Sequence, residues 1–152
     1  MSVVHPSRRS SDVPLAELVK LLGSSLVMYV SDAGIWSYPG EEELKLALAD
    51  LVGDQRNVHD RAAAVLDSRN VPVPGRDFPI RFTATHDVDL RFLLSRILEE
   101  LKLQAKTLDR IIESSVDDPE TLELAREARG TTLGHCDVLL QIASKARGVS
   151  PA

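Results

Sequence analysis

Two histidines lie at positions where the sequence predicts the buried faces of helices. His59 lies in DQRNVHDRAAAVLDSRN and His135 in TLGHCDVLLQIASKA, each in the middle of an apolar stripe with helical period. Because neutral imidazole is the commonest protein ligand for transition metals, the pair suggests a metal site. The alternative is a structural role, in which the two rings are buried and hydrogen-bond each other.

A mononuclear site at these histidines needs further ligands, since zinc sites usually have three or four protein ligands. Glu100, Thr132 or water could supply them. Among the other reactive groups, Cys136 is the only cysteine and is predicted to be an inert small hydrophobe, while His86 falls at a predicted helix start. The chain has no Ser-His-Asp order, glycine-rich phosphate loop or Cys-x-x-Cys pair, so the sequence favours a protein that is not an enzyme.

The composition favours a single all-helical domain. Of 152 residues, 43% are hydrophobic, 27% are charged and only 4% are aromatic. We predict one domain over residues 12–147, with polar tails at 1–11 and 148–152. The net charge of −5 argues against nucleic-acid binding, and no apolar stretch is long enough to predict a membrane span. A single cysteine favours a reducing, cytoplasmic location.

Start signals and apolar stripes predict four helices. Their predicted beginnings are Asp12-Pro14, Glu41, about Thr85, and Asp118-Pro119. The first is predicted to run unbroken to the turn at residues 37–40, and the second to end at about Arg69. In the second helix the predicted buried stripe is Leu44, Leu48, Val52, His59, Ala62 and Leu66.

The connections predict the topology. Short links join helices one and two and helices three and four, so each pair is expected to form an antiparallel hairpin. The link NVPVPGRDFPIRFTA between helices two and three holds Pro72, Pro74 and Pro79. At full extension it reaches about 50 Å, which exceeds the length of about 44 Å expected for the second helix. The sequence therefore predicts a four-helix bundle with one long crossover between helices two and three.

In pattern and order the chain resembles the ferritin-like superfamily, particularly bacterioferritin. The segments LVKLLGSSLVMYVSD, LVGDQRNVHDRAAAVLDSRNVPVP, ILEELKLQAKTLDRII and TLGHCDVLLQIASKA are similar to the four family helices. The resemblance implies a di-iron site with glutamates on helices one and three and Glu-x-x-His on helices two and four. Aligned on that pattern, the glutamate positions of this chain hold Ser25, Arg56, Leu101 and Thr132.

This substitution pattern argues against a working di-iron centre. Two dications in a dry core need anionic ligands, and His59 and His135 without carboxylates cannot offset their charge. A register shifted by one residue would restore only Glu100. Arg56 is expected either to snorkel to the surface or to pair with Asp32 or Glu100.

Three functions stay open from the sequence. The first is a ferritin-like, non-catalytic binding or assembly protein that has lost its di-iron centre and needs no cofactor. The second is a metal-binding protein with one transition metal ion at His59 and His135, acting in iron or oxidative-stress handling. The third is a small-ligand binder that uses the vacated pocket among Ser25, His59, Leu101, Thr132 and His135.

A homodimer is the expected assembly. Helix four carries a second apolar row, and helix one carries a similar row away from its main stripe. Their members are Leu122, Leu133 and Leu140 on helix four, and Val19, Leu26 and Val30 on helix one.

Overall fold

The computed structural model describes residues 12–33, 40–85 and 90–146, and the regular structure in these ranges is entirely helical. The two predicted tails, Trp36 and His86 lie outside the described residues. The helices are α1 (Asp12–Gly23), α2 (Leu26–Ala33), α3 (Glu42–Ser68), α4 (Leu90–Ser114) and α5 (Pro119–Ala146), with a 3₁₀ turn at Ile80–Thr85.

The prediction of one unbroken first helix is wrong, because α1 and α2 meet at a bend of 44°. Two serines stabilise the break. The Ser24 hydroxyl accepts a hydrogen bond from the backbone N–H of Asp77 at 3.1 Å, and the Ser25 hydroxyl accepts one from the N–H of Met28 at 3.4 Å. Ser25 therefore caps the start of α2, which follows the general preference for kinks at Gly/Ser sequences.

The helices enclose two apolar clusters. Each of α3 and α4 packs against both α1 and α5, and α2 packs against α3 and α4. We name the clusters after one member each. The Leu108 cluster includes Leu15, Leu18, Leu22, Val58, Ala62, Leu66, Ile111, Leu124 and Ala128. The Leu48 cluster includes Leu26, Met28, Leu51, Val52, Phe82, Leu93, Ile97, Leu101, Cys136 and Leu139.

A group of ion pairs, the Arg69 cluster, closes one end of the helices. The Arg69 guanidinium donates two hydrogen bonds to Asp118 at 2.8 and 3.0 Å, one to Asp12 at 3.3 Å and one to Glu120 at 3.0 Å. Asp12 begins α1 and Asp118 caps α5, whereas Arg69 follows the last residue of α3. The negative charges therefore lie at the positive ends of the dipoles of α1 and α5, and the positive charge lies at the negative end of the dipole of α3. The hydrogen bonds from Arg69 lower the pKa of Asp118 to about 2.

The link after α3 passes from one apolar cluster to the other. Val71 packs against the Leu108 cluster, while Phe78 and Phe82 pack in the Leu48 cluster. Phe78 meets Tyr29 edge to face, with ring centroids 5.3 Å apart, and Phe82 lies 5.9 Å from the same ring. These aromatic contacts hold the link against α2 and place the 3₁₀ turn beside the break between α1 and α2.

No individual helix within the described ranges is long and apolar enough to span a bilayer. The bent pair of α1 and α2 meets the length and composition criteria only when the two helices are taken together.

Candidate functional site: a buried polar layer and an adjoining cavity

A layer of four polar side chains crosses the core between the two apolar clusters. We call it the polar layer, and its members are Ser25, Gln55, Gln104 and Thr132, one from each of the α1–α2 break, α3, α4 and α5. Gln55, Gln104 and Thr132 are all buried, with 5% exposure or less. The amide and hydroxyl groups therefore replace apolar packing halfway along the helices.

The polar layer is a continuous chain of hydrogen bonds. The Ser25 hydroxyl donates to Oε1 of Gln55 at 2.7 Å, and Nε2 of Gln55 donates to Oε1 of Gln104 at 3.2 Å. Nε2 of Gln104 then donates to the Thr132 hydroxyl at 3.3 Å. Among the described residues, every buried side-chain nitrogen and oxygen has a hydrogen-bond partner. The layer is thus neutral and internally satisfied, as burial requires.

The structure brings together two of the four positions predicted to have lost carboxylates, Ser25 and Thr132, through the two glutamines. The other two positions do not belong to the layer. Arg56 is 46% exposed and lies 3.9 Å from Asp32, which confirms the expected pairing with Asp32, and the preceding residue, Gln55, is buried in the core. Leu101 is buried in the Leu48 cluster, and Gln104 one turn later occupies the layer.

Gln55 and Gln104 were not predicted to be buried, although the spacing of apolar residues around Gln55 indicates a core position. In α3 the buried residues Leu48, Leu51, Gln55, Val58 and Ala62 follow a strict alternation of three and four residues. The predicted stripe was instead centred on His59, which lies at the edge of this face.

His59 lies beside the break between α1 and α2. Its side chain is 15% exposed, and Nδ1 is 2.9 Å from a carboxylate oxygen of Asp60. The ring packs directly on Gly23, where an added Cβ would lie 2.8 Å from Nε2 of His59. Gly23 therefore leaves the space that the imidazole fills.

His135 has a separate partner. Its Nε2 is 2.5 Å from a carboxylate oxygen of Asp54, and its side chain is 15% exposed. The predicted pair of buried histidines bonded to each other is thus wrong, since each ring bonds a carboxylate instead. Within residues 12–33, 40–85 and 90–146, no group of three or more histidine, cysteine, aspartate or glutamate side chains could hold a metal ion.

Cys136 packs in the Leu48 cluster and is 8% exposed. Burial raises the pKa of its thiol, which disfavours the reactive thiolate.

A cavity of about 340 Å³ adjoins the polar layer on the side of the α1–α2 break and α4. Ser25 and Gln104 form part of its lining, so the layer is open to the cavity on this side. The walls come from α1, the α1–α2 break, the start of α2, the link, the 3₁₀ turn and α4. The apolar wall residues include Leu21, Leu26, Pro79, Phe82 and Leu103.

Five charged side chains also line the cavity: Glu17, Lys20, Asp77, Arg81 and Glu100. Arg81 and Glu100, both in the cavity lining, form a two-pronged ion pair with nitrogen–oxygen distances of 2.9 to 3.3 Å. The Arg81 guanidinium also lies 5.0 Å from the ring centroid of Phe82. This pair joins the 3₁₀ turn to α4 in the wall of the cavity.

The surface rows are only partly as predicted. Val19, Leu26 and Val30 are buried inside the chain, so the expected second row of the first helix is wrong. On α5, Leu133 and Leu140 are about two-fifths exposed, while Leu122 is half-buried. Homodimerisation stays a prediction that rests on α5.

Comparison with known proteins gives no relative: no protein-family model, no curated protein and no solved structure matches the chain.

Proposed function

We propose that this chain is a non-catalytic binding protein that holds a small molecule in the cavity beside its polar layer. The observation that carries the proposal is the cavity of about 340 Å³, which combines apolar walls with the hydrogen-bonding groups of Ser25 and Gln104. Ligand pockets usually have this character, with mostly apolar linings and a few polar groups that orient the ligand.

We further propose that the scaffold is a ferritin-like four-helix bundle, in which α1 and α2 together form the first helix. Three features support this topology. The Arg69 cluster gathers the starts of α1 and α5 and the end of α3. Lys145 near the end of α5 lies 3.4 Å from Glu43 at the start of α3. The link spans the two apolar clusters, as a long crossover would.

The chemistry of the polar layer supports binding over di-iron catalysis. The layer offers two amides and two hydroxyls, which carry no charge. Such groups cannot compensate two adjacent dications in a low-dielectric core, but they can donate and accept hydrogen bonds to a neutral part of a ligand.

The test is binding of a neutral fluorescent probe, N-phenyl-1-naphthylamine, to the full chain and two tryptophan variants. Leu103 lines the cavity and is 54% exposed, so Leu103→Trp should narrow the cavity without disturbing the core. Val138 on α5 is 46% exposed and does not line the cavity, so Val138→Trp is the matched control.

We expect saturable binding at one site per chain, weakened about tenfold or more by Leu103→Trp and unchanged by Val138→Trp. A tenfold loss corresponds to about 1.4 kcal/mol. Non-saturable binding, or equal affinity in both variants, would contradict the proposal. Circular dichroism and thermal melting of each variant would confirm that the fold is intact.

A further inference from the structure

We infer that the ligand is a zwitterion with an apolar body, of the class of an α-amino acid with a large apolar side chain. This inference rests on the proposed function and adds the charge pattern that the cavity recognises. It follows from which charged groups around the cavity are already paired and which are not.

The charges that are paired are Arg81 with Glu100, and more distantly Glu17 with Arg110 at 3.9 Å. The charges that remain are Lys20 and Asp77. Both side chains line the cavity and are exposed, and neither belongs to an ion pair in the described part of the chain. We call Lys20 and Asp77 the rim of the cavity. The rim therefore offers one ammonium group and one carboxylate without protein counter-ions.

Ser24 joins the backbones of these two residues. It lies just after α1, where its backbone N–H donates to the Lys20 carbonyl at 3.0 Å and its hydroxyl accepts a hydrogen bond from the backbone N–H of Asp77 at 3.1 Å. The link therefore brings Asp77 to the break between α1 and α2, one helical turn from Lys20, and both side chains line the cavity.

A ligand with only one charge would leave either Lys20 or Asp77 without an oppositely charged partner. A simple carboxylate would meet Lys20 but would add a third anion near Asp77 and Glu17. A simple amine would meet Asp77 but would be repelled by Lys20. A zwitterion satisfies both, because its carboxylate can pair with Lys20 while its ammonium pairs with Asp77.

The cavity walls favour a ligand with an apolar side chain. Leu21, Leu26, Phe82 and Leu103 present apolar surface, which suits an aromatic or branched aliphatic side chain. A volume of about 340 Å³ is at the lower end for ligand pockets, so the size suits a single amino acid rather than a long peptide.

The experiment compares three ligands that share a phenyl group and differ in their charges, by isothermal titration calorimetry at pH 7. L-Phenylalanine carries both charges, 3-phenylpropionate only the carboxylate, and 2-phenylethylamine only the ammonium. We expect L-phenylalanine to bind the wild-type chain about tenfold more tightly than either singly charged compound.

Two variants assign the charges to residues. In Lys20→Met, L-phenylalanine should lose its advantage over 2-phenylethylamine, and in Asp77→Asn it should lose its advantage over 3-phenylpropionate. Lys106→Met on α4 and Asp67→Asn on α3 are matched controls, because both residues are exposed and neither lines the cavity. Both controls should keep the wild-type preference.

The outcomes separate the inference from the proposed function. If the naphthylamine probe binds but the three phenyl ligands show equal affinity, or a singly charged one binds best, the zwitterion inference is overturned and the binding function stands. If L-phenylalanine is preferred but the controls lose the preference as the rim variants do, the assignment to Lys20 and Asp77 is overturned. If neither the probe nor any phenyl ligand binds, the proposed function itself fails.

Discussion

Two buried polar regions in the described part of this molecule offset the cost of burying polar groups in different ways. The polar layer, halfway along the helices, is built from neutral amides and hydroxyls that bond one another. The Arg69 cluster, at one end, is built from full charges. There a guanidinium that is 17% exposed holds Asp12 and Asp118, whose side chains are 3% and 8% exposed.

The difference follows from what surrounds each region. At the end of the helices, helix termini favour the carboxylates, and the exposed side of Glu120 keeps the cluster in contact with solvent. In the middle of the core α3, α4 and α5 have no termini, and Gln55, Gln104 and Thr132 are at most 5% exposed, so a charge at these positions would be penalised by desolvation. The molecule therefore places charges at the end and neutral hydrogen-bonding groups at the centre.

The largest effect is expected from removing the cation of the Arg69 cluster. Arg69→Met keeps much of the side-chain volume but removes the cation that pairs with the buried Asp118 and Asp12, which should lower the free energy of unfolding by about 3 kcal/mol. Urea unfolding followed by circular dichroism measures this.

Arg61→Met is the control, because Arg61 pairs with Glu127 where both side chains are more than 40% exposed. The control should change stability by at most about 1 kcal/mol. Equal losses in both variants would show that the Arg69 cluster is no stronger than a surface ion pair.

Acid should weaken the same cluster in a defined pH range. The pKa of Asp118 falls from 3.8 to about 2 on folding because Arg69 donates hydrogen bonds to it. A carboxyl group with a depressed pKa stabilises the fold above its unfolded pKa and loses that contribution as the pH falls through its folded pKa. Stability attributable to Asp118 should thus be complete above about pH 5 and decline by about 2 kcal/mol toward pH 2. The pH dependence of urea unfolding should be shallower in Arg69→Met over this range. An identical slope in the variant would mean that other carboxyl groups dominate acid unfolding.

The matching change in the polar layer is Gln104→Leu. It leaves Nε2 of Gln55 and the Thr132 hydroxyl without their partner, and unmet buried hydrogen bonds should lower stability by about 2 kcal/mol. Gln141→Leu on α5 is the control, because Gln141 is exposed and should tolerate the change. The double variant Gln55→Leu/Gln104→Leu should cost less than the sum of its single changes, since it removes both amides together. Additive losses would show that the layer is not a connected network.

The polar layer also shows how far the sequence could predict this structure. Helical period, capping residues and loop lengths located α3 and α5 to within a residue or two, because these signals are local. Asp118-Pro119 begins α5 as predicted. The break after Gly23 was missed because its cause is partly distant: the Ser24 hydroxyl is bonded to Asp77, more than fifty residues later in the chain.

The site was harder to predict because a shift of one residue changes which side chain faces the core. Gln55 and Arg56 are neighbours about 100° apart around the helix, and a stripe centred on His59 selects the wrong one. Only the packed structure shows that Gln55 meets Gln104 and that His59 lies against Gly23. The sequence predicted a pocket at Ser25, which does line the cavity, but its other predicted members do not. The cavity wall combines α1, the link and α4, which no local pattern brings together.

The smallest effect is expected where the polar layer meets the break between α1 and α2. Gly23→Ala would place a Cβ 2.8 Å from Nε2 of His59, so the ring must shift, at a cost of about 1 kcal/mol. Alanine is also the better helix former, by up to about 1 kcal/mol, so the net loss in the single variant should be small. In a His59→Ala background the clash disappears, and the same Gly23→Ala change should become stabilising. A double-mutant cycle measured by urea unfolding would detect this reversal of sign as a coupling of about 1 kcal/mol between the two sites. If Gly23→Ala has the same effect with and without the imidazole, glycine is present at this position for the backbone of the break and not for the ring of His59.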